Sequence, residues 1–376
     1  MAIIDIGSTQ ISAALVSVSK DRRGRTKNQI IFSTKLETGI EGNFDYDRFD
    51  RATIKSLKQI THRILRSGFN RPEKFYCFLS SPFLISQTKV INYSQSTPFL
   101  FTAKMLNSMT KREAENFRVA NEGNEAFSVI ENKIMQIKSD GYEAENPFGH
   151  QVKTVRSAQF LSGSPESQLN KLRSAISGES HIDKIEFHSY VFAAFSALRD
   201  TLGHKNNFLI IDVGGELTDV MVCIDSVLLE NISIPYGINS ILRDASLGQK
   251  SFQSETTSQY KLYAENRLHN KTKMLFEKSL EIPRERWTSS MTEVAAIIAE
   301  NSVLPEQIIL TGDTAGNEMF VKWLKDSDLK KYTMANGELK ISYIDHTNLA
   351  ILSDSKKTVK DTYLILESMF LEKLIK

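Results

Sequence analysis

At its start the chain changes the period of its apolar positions twice. "AIIDI" is apolar on both faces, "ISAALVSV" partly alternates, and "QIIFSTKL" follows as a third short run. Runs of this length, bounded by small and polar residues, predict β-strands, the first two forming a hairpin. Over 47–67 the spacing becomes helical, with Phe49, Ile54, Leu57, Ile60, Ile64 and Leu65 on one stripe and Gly68 as its stop. "KFYCFLSSPF" then returns to strand. Strand, strand, strand, helix, strand opens an α/β domain with helices covering its sheet.

From about Thr97 to Ser164 the order differs. A helix around "TAKMLNSMTKREAENFRVA", a strand-like "FSVIENKIMQIKS", the turn "DGYEAENPFGH" and the strand "QVKTVRSAQFL" predict a small α+β insertion. Helical "SQLNKLRSAISG" and "SYVFAAFSALRD" around the strand "KIEF" restore α/β order. "NNFLIIDVGGELTDVMVCIDSVLLENISI" then resembles the beginning: Asp5-Ile6-Gly7 is echoed by Asp212-Val213-Gly214, each between a strand and a turn that leads into a second strand. A repeated strand–Asp–x–Gly–turn–strand predicts two related halves facing each other. The expected domains are 1–96 with 165–206, the insertion 97–164, and 207–376 with a smaller subdomain at about 243–300. "PEQIILTGDTAGNEMFVKWLKD" reads as strand, turn and helix, and "DTYLILESMFLEKLIK" as a closing core helix.

Composition narrows the function. Lys and Arg total 47 against 45 Asp and Glu, so no global field drives the chain onto nucleic acid, and any contact with a polyanion must be local. The basic turn "KDRRGRTKNQ" reads as a solvated loop. Cys77 and Cys223 lie in apolar runs as inert thiols, which fits a reducing cytoplasm. The seven histidines show no zinc-site spacing. No apolar stretch approaches the ~20 residues of a membrane span, and Met1–Ile4 is too short for a signal peptide and reads as structure.

If the two hairpin turns face each other, the backbone N–H groups of Gly7, Ser8, Thr9, Gly214 and Gly215 converge on one space. Such amides cradle phosphate oxygens, and glycine admits close approach. Asp5 and Asp212, at the strand ends, are then placed to hold a hydrated magnesium ion. "TGDTAG" supplies a third close-approach turn, suited to a nucleoside.

With these residues in hand, the chain resembles the actin-like ATPases. "IIDIGSTQISAALV" is similar to their first phosphate motif, "LIIDVGGELTDVMV" to the second and "IILTGDTAG" to the adenosine motif. The inserted segment places the resemblance in the branch of the division protein FtsA and the pilus assembly protein PilM. It implies an actin-like fold of two α/β domains around a cleft for ATP and Mg2+. By position it implies Asp5 and Asp212 as metal-side and catalytic carboxylates, Thr218 as a further phosphate contact, and Gly312, Asp313 and Ala315 facing adenosine. Glu255 and Lys261 fall near the helix that touches the nucleoside in FtsA-type proteins.

Three departures stand out. Glu216 interrupts the second motif with a carboxylate beside the phosphates, a repulsion unless the fold turns it away. Gly312-Asp313 replaces a glycine pair. Ser189 stands where a glutamate is expected near the attacking water, and serine is no general base at neutral pH without an activating partner, so hydrolysis is expected to be weak at most.

The leading expectation is an FtsA-like adaptor that self-associates and links FtsZ-type filaments to the membrane. The alternative is a PilM-like platform gripping a pilus membrane protein's cytoplasmic tail. The end of the chain at Lys376 without an amphipathic tail leans toward the alternative. Either places the protein in the cytoplasm at the inner membrane face with peripheral contact and no nucleic-acid partner. A metabolic kinase of the same superfold lacks a recognisable base, and a scaffold without nucleotide stays open.

Overall fold

The computed structural model describes the chain apart from residues 9, 21–22, 39–44, 144–145, 203–206, 301, 313–316, 335–337, 345, 348, 350–358 and 376. Strand β1 (Ala2–Ile6) is buried at every position and pairs antiparallel with β2 (Gln10–Lys20), which pairs in turn with β3 (Thr26–Glu37). β4 (Phe75–Leu79) lies parallel to β1, and β9 (Ile185–Ser189) parallel to β4, giving the order β3-β2-β1-β4-β9. The continuous apolar run of "AIIDI" follows from this central place, with both faces covered.

The second half repeats the plan. β10 (Phe208–Val213), β11 (Thr218–Ile224), β12 (Val227–Ile234), β13 (Gln307–Gly312) and β14 (Lys340–Tyr343) form a sheet of order β12-β11-β10-β13-β14. Its ladders are antiparallel, antiparallel, parallel and parallel, as in the first sheet. The two sheets are thus one design used twice, as the repeated Asp–x–Gly predicts.

A third sheet, β5-β8-β6-β7, comprises β5 (Ile85–Leu100), β6 (Phe127–Ser139), β7 (Tyr142–Glu143) and β8 (Gln151–Pro165), with α2 (Ala103–Asn121) packed on β6 and β8. Sequence patterning does not reveal β5: its "ISQTKVINYSQSTPFL" is mostly exposed or half-buried and contains Pro98, so no period-2 signal develops.

Three apolar clusters hold the two halves. One lies between the first sheet and α1 (Tyr46–Leu65) and α3 (Glu166–Ser180), with Phe49, Leu57, Ile60 and Ile64 buried as the helical stripe predicts. A second packs α5 (Ile238–Gln249), α7 (Asn270–Ser279), α8 (Glu281–Ala299) and α9 (Asn317–Lys325) on the outer face of the second sheet around Trp287. The third joins the halves: Ile3 and Phe78 of the first sheet and Ile210 and Ile309 of the second meet α4 (Tyr190–Leu202) and α10 (Thr362–Leu374). The closing helix of the chain, α10, therefore sits between the two sheets, touching β1, β2, β3, β13 and α4. Helix α6 (Gln253–Ala264) completes the helical layer beside α5 and α7. Among the described residues no helix is long and apolar enough to cross a membrane.

Candidate functional site

The two repeated turns do face each other. In the first, the Gly7 amide closes on the Gln10 carbonyl (3.1 Å), and Ser8 projects across to the second turn, where its Oγ accepts from the amides of Gly215 (3.2 Å) and Glu216 (3.1 Å). Of the amides expected to cradle phosphate, that of Gly215 meets a hydroxyl of the protein itself, together with the Glu216 amide, while the Gly7 amide is spent within its own turn.

The second turn is gripped from behind by the start of α5. The amides of Ile238 and Asn239 donate to the carbonyls of Gly214 (3.0 Å) and Gly215 (2.8 Å). Gly237 makes this possible, since a Cβ there would stand 2.5 Å from the Gly215 oxygen. Glu216 is turned away from the cleft: Arg243 holds its carboxylate in a fork at 3.0 and 2.6 Å, and Asn239 Nδ2 adds a third bond at 3.0 Å. Thr218 also points inward, donating to the Tyr236 carbonyl (2.9 Å) and accepting from Trp287 Nε1 (3.1 Å).

Asp5 and Asp212 occupy equivalent strand ends, Asp5 opposite Ser12 and Asp212 opposite Asp219 and beside Thr311. Both are buried. Asp212 accepts from Thr311 Oγ1 (2.8 Å) and Tyr363 OH (3.3 Å); burial first, and the charge of Asp219 second, push its carboxyl up to about 7. Asp219, accepting from Ser81 and Ser233, is likewise raised by burial.

Helix α10 brings more acid into this space. Asp361 caps it, accepting from the Leu364 amide, and also accepts from Ser12 Oγ at 2.5 Å. Glu367 is fully buried, and burial, then Asp5 and Asp361, hold its carboxyl well above the usual range. Tyr190 stacks edge-on against Tyr363, and burial followed by the Asp212 charge pushes its phenol up.

Ser189 is no base. It ends β9, its Oγ accepts from the Phe192 amide at the start of α4 and donates to Glu131 Oε2 at 2.5 Å. Glu131, from inserted strand β6, also meets His188 Nδ1 at 3.3 Å, so this buried carboxylate ties the insertion to the first sheet. Lys261 reaches across the cleft mouth to Glu37 (2.8 Å), whereas Glu255 lies exposed in the first turn of α6. Gly312 ends β13 with a φ of +148°, a backbone that favours glycine. Thr9, Asp313 and Ala315 lie outside the described residues.

Sequence reasoning passed over Thr311, Tyr363, Glu367 and Glu131. The last helix carries the one legible signal: Tyr363 and Glu367, four apart on one face of an otherwise apolar segment, are costly to bury without a purpose.

The actin-like fold implies a nucleotide cleft between these turns, and here the turns are bonded to each other across it. Two backbone amides of the second turn, those of Gly215 and Glu216, are bonded to Ser8, and Arg243 is committed to Glu216. Among the described residues no three acidic, His or Cys side chains are grouped to ligate a metal.

No family model matches the sequence, and no curated protein does. Solved structures do. PilM, in a "PilM-PilN type IV pilus biogenesis complex", superposes with a TM-score of 0.62 over 99% of this chain and 96% of its own at 13% identity. The ethanolamine utilization protein EutJ of Carboxydothermus hydrogenoformans gives 0.47 over 99% and 88% at 9% identity. A Bacteroides thetaiotaomicron protein of actin-like ATPase fold and unknown function gives 0.44 over 98% and 95% at 10% identity. With the doubled sheet, the facing turns and this full-length superposition together, the chain has the actin-like ATPase fold.

Proposed function

We propose that the protein is a PilM-like platform: a cytoplasmic scaffold at the inner face of the membrane that captures the cytoplasmic tail of a pilus membrane protein. The full-length superposition on PilM, in a complex with PilN, supports this reading. The FtsA-like alternative, with an FtsZ-type filament as partner and self-association, is carried by the fold alone, so the pilus reading takes the lead.

The filled space between the sheets suits capture. Helices α4 and α10 fill the space between the sheets, and Ser8 and Lys261 bridge the turns and the cleft mouth. A tail then meets a preformed surface, and less ordering entropy opposes binding. ATP and Mg2+, implied by the resemblance, enter no step of this proposal, because the closed turns are bonded to each other. Titration calorimetry with a synthetic cytoplasmic tail of the PilN-type protein from the same cell tests it. Saturable binding near micromolar Kd, about −8 kcal/mol, is expected; absence of heat at high peptide concentration contradicts it.

A further inference from the structure

The near-neutral net charge conceals one strongly basic face. At 100° per residue, Arg48, Arg51, Lys55, Lys58, His62 and the capping Arg66 fall within an arc of about 80° on α1. All six are exposed, and no other residue of the helix shares that arc. The stripe is about 27 Å long at 1.5 Å per residue. Arg51, Lys55 and Lys58 form no ion pair among the described residues.

Beside the stripe, α1 and α3 enclose a groove of about 620 Å³ with Arg51, Lys55, Lys58 and Lys171 on its walls and Ile54 and Ala175 among its apolar lining. Its single carboxylate, Asp50, is committed to Lys171 (2.9 Å) and Gln168 (3.0 Å), leaving Arg51, Lys55 and Lys58 without a carboxylate in the groove. A solvated helix face usually mixes signs; this one does not.

From this we infer that the α1 face, with its α1/α3 groove, docks onto an anionic bilayer, the groove taking a phosphodiester headgroup. Three considerations select lipid. The anionic cytoplasmic leaflet attracts Lys and Arg near its surface. Juxtamembrane protein tails are themselves rich in Lys and Arg, so the stripe repels the tail of the proposed partner. Stacking aromatics, which single-stranded nucleic acid requires, are missing from the groove lining. The contact adds a second membrane attachment to the scaffold reading and is tested apart from tail capture.

The test is flotation of the full chain with vesicles of phosphatidylcholine alone or with about a third phosphatidylglycerol. Binding should require the anionic lipid and fall with added salt. The triple variant Arg51→Gln/Lys55→Gln/Lys58→Gln keeps helix-forming side chains and should lose partition about 100-fold, with single Lys55→Gln or Lys58→Gln losing about 5-fold. Lys250→Gln/Lys271→Gln/Lys278→Gln, on the distant α5–α7 face, should lose less than about 2-fold. Equal partition into both vesicles, equal loss by both triple variants, or tighter binding of a DNA duplex than of anionic vesicles at the same salt overturns the inference. Circular dichroism confirms folding, and the single variants carry the test if the triple does not fold.

Discussion

In the first half, the turn after β1 is small enough for Ser8 to cross the cleft; in the second, the turn after β10 carries Glu216, whose carboxylate is drawn outward by Arg243 and Asn239. The backbone plan is the same in both, down to strand order and the equivalent aspartates. Repetition therefore fixes where the turns lie, and the side chains on them decide whether the space between is a ligand site or a seam. Here the seam is protein: a hydroxyl between amides, and a closing helix that carries Tyr363 and Glu367 to the aspartates.

The largest expected effect comes from breaking the device that separates the second turn from the first. Glu216 is 6% exposed in its side chain, so Arg243→Ala leaves a buried charge without its cation and should cost about 3 kcal/mol in urea unfolding. Adding Glu216→Gln should restore most of the loss. If the double variant is no better than the single, the Arg243 contribution is packing.

Next comes the asymmetry between the aspartates. Folded Asp212 keeps its proton up to about pH 7, while in the unfolded chain it titrates near 3.8, so the unfolded state binds fewer protons between these values. Stability should therefore fall as pH rises from about 4 to 7 and level off above. Asp212→Asn, which still accepts from Thr311 and Tyr363, should reduce that slope, the remainder coming from Asp219 and Glu367, and gain on the order of 3 kcal/mol at pH 8. A variant less stable than wild type at pH 8, with the slope unchanged, contradicts the buried neutral carboxyl.

Ser8→Ala removes the acceptor shared by the Gly215 and Glu216 amides and should cost about 1–2 kcal/mol, read by thermal unfolding. The smallest effect belongs to the cleft mouth. Glu37 and Lys261 are both more than half exposed, and Lys261→Ala should change stability by less than about 0.5 kcal/mol. A larger loss would mean that the halves lean on this surface pair.

The strands of the doubled sheet were readable because buried apolar runs and the repeated Asp–x–Gly leave a signal in short segments. The facing of the turns follows from the repeat, and Asp5 and Asp212 lie at equivalent positions of the paired strands β1 and β10. What escaped depends on distant contacts. Strand β5 is half-solvated and shows no period, and the Arg243 fork on Glu216 joins residues 27 apart along the chain. Tyr363 lies 151 residues from Asp212, and Glu131 58 from Ser189, so no local pattern records these pairs. The cationic arc of α1 is a helical pattern too, but its charges say nothing of which face is buried, which the apolar stripe on the same helix does.

In this scaffold, partner capture should not depend on nucleotide. Affinity capture from detergent-solubilised native membranes, with and without magnesium and ATP and with the captured proteins identified by mass spectrometry, tests it most directly. The account predicts the same pilus membrane protein in equal amounts under both conditions. Capture only with ATP, or capture of an FtsZ-type filament protein in its place, would contradict it.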